Sequence, residues 1–160
     1  EERLAYCETH KDPFYLKTLK LFTYTNHKKM EDIQAVGSVN DIKKEGFSII
    51  TYAGNGWHKK HVSSLGISTL EVAKVNLMWK MLAARRGDIV IEWPVGAYAG
   101  IKKMGVDQLI VETDVELESM PFHLLIGKAS GRTDILPEFN RVIKKMKSDG
   151  TIKRIVSSYY

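Results

Sequence analysis

A chain with a single cysteine cannot close an internal disulfide, and Cys7 has no second thiol with which to build a metal knuckle. The fold must therefore stand on burial alone, and cysteine usage leaves the redox compartment open. No apolar run approaches the roughly 20 residues that a helix needs to cross a bilayer, because charges interrupt every stretch within a few positions. The four prolines and 12 glycines form no linker, and there is no internal repeat or low-complexity tract. A second domain, if present, must be discontinuous. A Gly-x-Ser-x-Gly elbow is missing, and the glycines at 54 and 56 lack the lysine and hydroxyl of a nucleotide loop. Both absences argue against a hydrolase or nucleotide site. A starting methionine is missing too: Glu1 comes first, which reads as removal of a signal peptide, a tag or a piece of the protein.

What is present is a core. Hydrophobic residues make up 44% of the 160 positions, a normal share for a globular domain. The net charge of +5 comes from lysines at helical distances from acids, as in Glu138 to Lys144 and Asp149 to Lys153. That pattern reads as a solvated basic face and not as a nucleic-acid surface. Short β-rich runs alternate with amphipathic stretches, which makes the class α/β. Residues 19–24, 47–52, 70–75, 88–92 and 108–111 read as strands, with a further run at 121–128. Helices are expected over 57–65, from a cap at Asn76 to Gly87, from Pro94 to Met104 with Gly105 as cap, and in two C-terminal segments. In the helix after Asn76, residues Leu77, Met78, Met81 and Leu82 make one apolar stripe.

In open α/β sheets, ligands bind beyond the carboxyl ends of the strands. Tyr52, Trp57, Trp93 and Tyr98 follow or end predicted strands, where an aromatic ring can stack on a ligand, attract a cation, or simply pack. Asn55 and Gly56 open a helix whose free amides favour an anionic group, although a plain strand-to-helix turn has the same sequence. Glu92 closes a strand and can accept from an amine or hydroxyl of a ligand, or pair with a lysine. His58 and His61 lack a third ligand to complete a metal site and read as surface histidines. Arg86, Gly87 and Asp88 spell an adhesion tripeptide, but between a helix end and a buried strand the glycine answers to backbone needs.

Several stretches also carry a family likeness. Glu2, Arg3 and Ala5, then Asp12, Pro13, Phe14 and Tyr15, precede a strand; Met81, Leu82, Ala83, Ala84, Arg85, Arg86, Gly87 and Asp88 precede another. Pro137, Glu138, Phe139 and Asn140, followed by Asp149, Gly150, Thr151 and Ile152, close the chain. Together these resemble family 3 of the bacterial extracellular solute-binding proteins, the polar amino-acid binding subunits of ABC transporters, over nearly the whole chain. The resemblance implies a periplasmic-binding-protein fold of class II, a two-lobed clamshell with lobe one incomplete. On that reading residues 1–19 are a remnant of lobe one, 20–122 form lobe two, and 123–160 return to lobe one.

The implied function is non-enzymatic: an extracytoplasmic, monomeric protein, periplasmic, extracellular or membrane-anchored, holds a small polar ligand between its lobes and delivers it to an ABC permease. No cofactor, metal or nucleic acid is expected, and the ligand-binding residues would be Tyr52, Asn55, Gly56, Trp57, Glu92 and Trp93. The family's arginine for the ligand carboxylate belongs to a portion with no counterpart here, so Arg3 does not take that role. Trp93 stands where many members place an aspartate for the ligand amine, which makes a standard α-amino acid doubtful, and Asn55 stands where they often place a threonine or serine. With much of lobe one absent, weak or no ligand binding is expected of residues 1–160 alone. Two alternatives belong to other classes: a ligand-sensing receptor or kinase ectodomain, and a dehydratase-like enzyme on the same fold. A transmembrane helix elsewhere in the gene would mark the first. The second lacks an evident acid and base pair.

Overall fold

The computed structural model describes residues 2–159; Glu1 and Tyr160 lie outside the described residues. The chain divides into two compact units, Thr18–Glu118 on the one hand and Glu1–Lys17 with Ser119–Tyr160 on the other. The larger unit is built on a five-stranded sheet. Its strands are β2 (Tyr15–Tyr24, entering from the other unit), β3 (Ile49–Tyr52), β4 (Thr69–Val72), β5 (Ile89–Glu92) and β6 (Ile110–Phe122, leaving towards it), in the order β4-β3-β5-β2-β6. β3 pairs in parallel with both β4 and β5, and β5 pairs antiparallel with β2, placing Lys20 opposite Glu92. Thr25 N–H donates to the Leu109 carbonyl (2.9 Å) and the Thr113 hydroxyl to that of Leu21 (3.0 Å), so β6 runs opposite to β2. Around the sheet lie helices α1 (Met30–Gln34), α2 (Val39–Lys44), α3 (Gly56–His61), α4 (Val75–Ala83) and α5 (Pro94–Met104).

The strands of the sheet's middle are apolar at consecutive positions because both of their faces are covered. Phe22, Ile50, Val72 and Val90 meet Met78, Trp79 and Leu82 of α4 and Ala97 and Ile101 of α5 in one core, where Phe22 and Trp79 pack edge to face at 5.4 Å. Leu21, Ile49, Ile89 and Ile91 alternate with these along their strands, and therefore project to the other face, where they too are buried. Ile33 of α1 and Ile42 of α2 are also fully buried.

The smaller unit holds a two-stranded antiparallel sheet of β1 (Cys7–Thr9) and β7 (Leu125–Gly127), with α6 (Leu136–Ser148) and α7 (Thr151–Ser157). His10, only 2% exposed, sits just past the end of β1; its Nε2 accepts the Leu124 N–H at 2.9 Å and its ring meets Phe139 edge-on at 4.8 Å. His123 Nδ1 in turn lies 3.1 Å from the His10 carbonyl. The helix buries Leu136 and Ile143, while Leu4, Tyr6, Leu16, Ile155 and Tyr159 of this unit stay exposed.

Several expectations need correction. β6 is one long strand, Ile110–Phe122, in place of a short run at 108–111; the further run at 121–128 holds the end of β6 and then β7, and β1 carries no mark in the sequence pattern. α4 starts at Val75 with Lys74 as a cap that makes no side-chain bond, so Asn76 is inside the helix; its buried stripe is Met78, Trp79 and Leu82, and Leu77 is exposed. α3 ends at His61, with a separate 3-10 turn at Ser63–Leu65. The left-handed residue after α4 is Arg85 (φ 56°), and Gly87 is needed for space: a Cβ there would lie 2.6 Å from Ile50 Cγ1. On α6 the partner of Glu138 is Arg141, one turn away, at 2.8 Å.

Candidate functional site

Three parallel strands deliver their carboxyl ends to one edge of the sheet, and the antiparallel neighbours bring the start of β2 and the end of β6 to the same edge. Tyr52 is the last residue of β3 and Glu92 the last of β5. The register Ile49 to Ile89 and Ile50 to Val90, continued along the two strands, sets Tyr52 beside Glu92. Burial, and then the charge of Glu92, push the Tyr52 phenol up from its ordinary range, so the phenol keeps its proton.

After β3 the chain turns at Gly54, whose φ of 85° is a conformation that side chains with a Cβ rarely adopt. Asn55 then caps α3: its Oδ1 accepts the His58 N–H at 3.1 Å, and its Nδ2 donates to the Thr51 hydroxyl at 3.1 Å. The Asn55 side-chain amide is thus occupied in shaping the turn. Gly56 is exposed, with open space where a Cβ would be. Trp57 is half-buried; its indole N–H donates to the Glu118 carboxylate near the end of β6, and its ring stacks on His61 at 5.0 Å and 13°. His58 points inward and is only 7% exposed, so it is not a surface histidine, and burial holds its imidazole below the usual value against a weaker pull from Glu71.

On the other side of Tyr52, Glu92 accepts the Trp93 backbone N–H at 2.8 Å, and Trp93 leads into α5 with Pro94 in its first turn. The Tyr98 hydroxyl donates to Glu112 at 2.7 Å. Lys20 bridges Glu112 at 3.1 Å and Glu116 at 3.7 Å. Burial works against the Lys20 charge, but the hydrogen bond and charge of Glu112, with Glu116 and Asp114 behind it, outweigh that and raise its pKa.

The strand ends therefore bring Tyr52, Asn55, Gly56, Trp57, Glu92 and Trp93 to one edge of one unit. What strand-by-strand reading missed is the contribution of β6, whose alternate residues Glu112, Asp114, Glu116 and Glu118 are all acidic while Thr113 and Val115 between them are buried. That strict alternation was the available signal.

Other constellations are structural. His27 Nε2–H donates to Asp88 (3.1 Å), and Asp88 also receives the Ser48 hydroxyl (2.6 Å) and backbone N–H (2.8 Å). The hydroxyl is bonded to the carboxylate and not to the imidazole, so no nucleophile and base are aligned. Among the described residues no group of three or more histidines, cysteines and acids could hold a metal ion. A pocket of about 470 Å³ in the smaller unit, lined by His10, Thr133 and Asn140 among others, contains none of the strand-end residues.

No protein-family model matches the sequence, and no curated protein matches it. Solved structures do. The probable amino-acid ABC transporter extracellular-binding protein ytmK from Bacillus subtilis superposes with a TM-score of 0.72 at 19% identity, over 99% of this chain and 66% of its own. A mutant of ArgBP from T. maritima gives 0.66 at 18%, over 99% and 64%. The amino acid ABC transporter substrate-binding protein AbpA from Streptococcus pneumoniae, bound to L-arginine, gives 0.66 at 17%, over 99% and 63%. The chain has the fold of the amino-acid ABC transporter substrate-binding proteins. Within that substrate-binding-protein fold it spans less than two thirds of the ArgBP and AbpA chains. At such identities the likeness speaks to architecture, and the chemistry must be argued from the edge residues themselves.

Proposed function

We propose that the protein is a non-enzymatic, extracytoplasmic solute-binding protein that captures a small polar ligand, an amino acid or a related compound, for delivery to an ABC importer. The single observation that carries this reading is the convergence of Tyr52, Asn55, Gly56, Trp57, Glu92 and Trp93 at the carboxyl edge of the parallel strands, in a fold otherwise seen in such binders. Aromatic rings set among oriented polar groups suit recognition of a small solute, with the rings supplying contact area and the polar groups orientation. The Ser48, Asp88 and His27 arrangement, bonded as a staple, supports binding over hydrolysis. The lobe boundaries implied by the family likeness, after residues 19 and 122, belong to the same proposal. Among the described residues no helix is long and apolar enough to cross a membrane.

Native mass spectrometry of the protein purified from its source tests this directly. A retained small molecule, lost on Trp57→Ala or Trp93→Ala substitution while the melting temperature holds, is the expected result. A bare chain mass, together with no thermal shift across a panel of amino acids and small amines, would sink the reading.

A further inference from the structure

The protein carries a net charge of +5, yet the edge just described concentrates carboxylates: Glu92 on β5 and Glu112, Glu116 and Glu118 on β6. Their partners differ. Glu112 and Glu116 share the Lys20 ammonium, and Glu92 accepts a backbone N–H. Glu118 is half-buried and bonded to the neutral Trp57 indole; among the described residues it has no ion pair with a cation. A cation placed beside such a partly desolvated carboxylate would find a charge that no protein cation already neutralises.

The indole beside it is held from two sides, by the carboxylate at its N–H and by His61 stacked on one face. Tryptophan is the aromatic whose face attracts a cation most strongly, and a carboxylate at its rim adds a counter-ion in the same place. We propose that Glu118 and the free face of Trp57 form the subsite for a cationic side-chain group, an ammonium or a guanidinium, of the captured solute. The subsite rests on the solute-binding reading above and names the class of solute. Because the hydrogen bond fixes the ring while the charge faces the ligand, Glu118 has two separable roles: positioning and charge compensation.

Glu118→Gln separates them, since a glutamine carbonyl still accepts the indole N–H but carries no charge. Calorimetry on the full chain with L-arginine, L-lysine, L-glutamine and L-glutamate is the experiment, with thermal melting as a check on folding. The wild type is expected to favour arginine or lysine over glutamine by about tenfold or more (about 1.4 kcal/mol). In Glu118→Gln that preference should collapse to within about twofold, and Trp57→Leu should weaken the cationic solutes most. Raising the salt concentration should lower arginine affinity in the wild type and leave it nearly flat in Glu118→Gln. An arginine-to-glutamine ratio unchanged by Glu118→Gln, or a wild type that binds glutamate best, would overturn the subsite and leave the solute-binding reading standing. Binding of none of the four by a folded wild type, titrated to millimolar solute to reach the weak affinity expected of an incomplete lobe one, overturns the subsite.

Discussion

Asp88 shows how much one side chain can hold together in this protein. It receives a hydroxyl and a backbone N–H from Ser48 at the entry to β3, and an imidazole N–H from His27 beyond the end of β2, while its own backbone carbonyl accepts from Thr23 at 2.7 Å. Burial alone would raise the Asp88 carboxyl; the hydrogen bonds of Ser48 and His27 outweigh it and hold the group below the usual range. A depressed carboxyl stabilises the fold above the unfolded value of about 3.9, and that contribution is lost as pH falls through the folded value. Asp88→Ala should cost about 2–4 kcal/mol in urea denaturation at pH 7, because it strands donors from two elements. The difference from wild type should shrink below about pH 4, where the wild-type carboxylate is itself being protonated. A gap of the same size at pH 3 and pH 7 would mean that the lost contacts are steric.

At the scale of elements, the packing of α4 against α5 turns on Gly100. A Cβ at that position would lie 2.5 Å from Trp79 Nε1, an indole that is fully buried and has no hydrogen-bond partner among the described residues. Gly100→Ala is therefore expected to destabilise by about 1–3 kcal/mol through overpacking, even though alanine is the better helix former. A melt equal to wild type or higher would show that the tryptophan gives way freely. The same scale explains what could be read in the sequence. The β-branched runs of β3 and β5 and the Pro94 and Gly105 boundaries of α5 announce themselves, because burial on two faces and helix capping leave local marks. β6 did not, because its acids carry low strand propensity and its apolar half is thin, so alternation was the sole clue. The strand ends that gather Tyr52, Trp57, Glu92 and Trp93 are legible for that reason, whereas Glu118, which lies in the acidic middle of β6 and meets Trp57 across 61 positions, is not.

Across the whole molecule the two units differ in how they are held. The larger one buries Phe22, Trp79 and the middle of a five-stranded sheet; the smaller one buries Leu136, Ile143 and His10 around two strands. Two-stranded sheets are marginal in water, so amide exchange should find the slowest protons in β2, β3 and β5 and markedly faster ones in β1 and β7. His10 adds a pH dependence to the smaller unit. Burial lowers its pKa most; the Asp12 backbone and charge pull the other way, and His123 and Lys147 add to the lowering. A base whose folded pKa is depressed stabilises fully above its unfolded value of about 6.5 and less as pH falls below it. Protonation would also turn the Nε2 that accepts from Leu124 into a donor. Exchange at the Leu124 amide, corrected for intrinsic rates, is expected to rise between pH 7 and pH 5 in the wild type. A flat profile would show that protonation is accommodated without breaking this bond.

The chain enters the larger unit along β2 and leaves it along β6, and these two strands lie side by side in the sheet. Residues 18–118 therefore form a cassette whose two ends are already neighbours. Such a segment can be excised, or transplanted between adjoining strands of an unrelated host, without long loops to rejoin it, and it should fold with its strand-end residues in place.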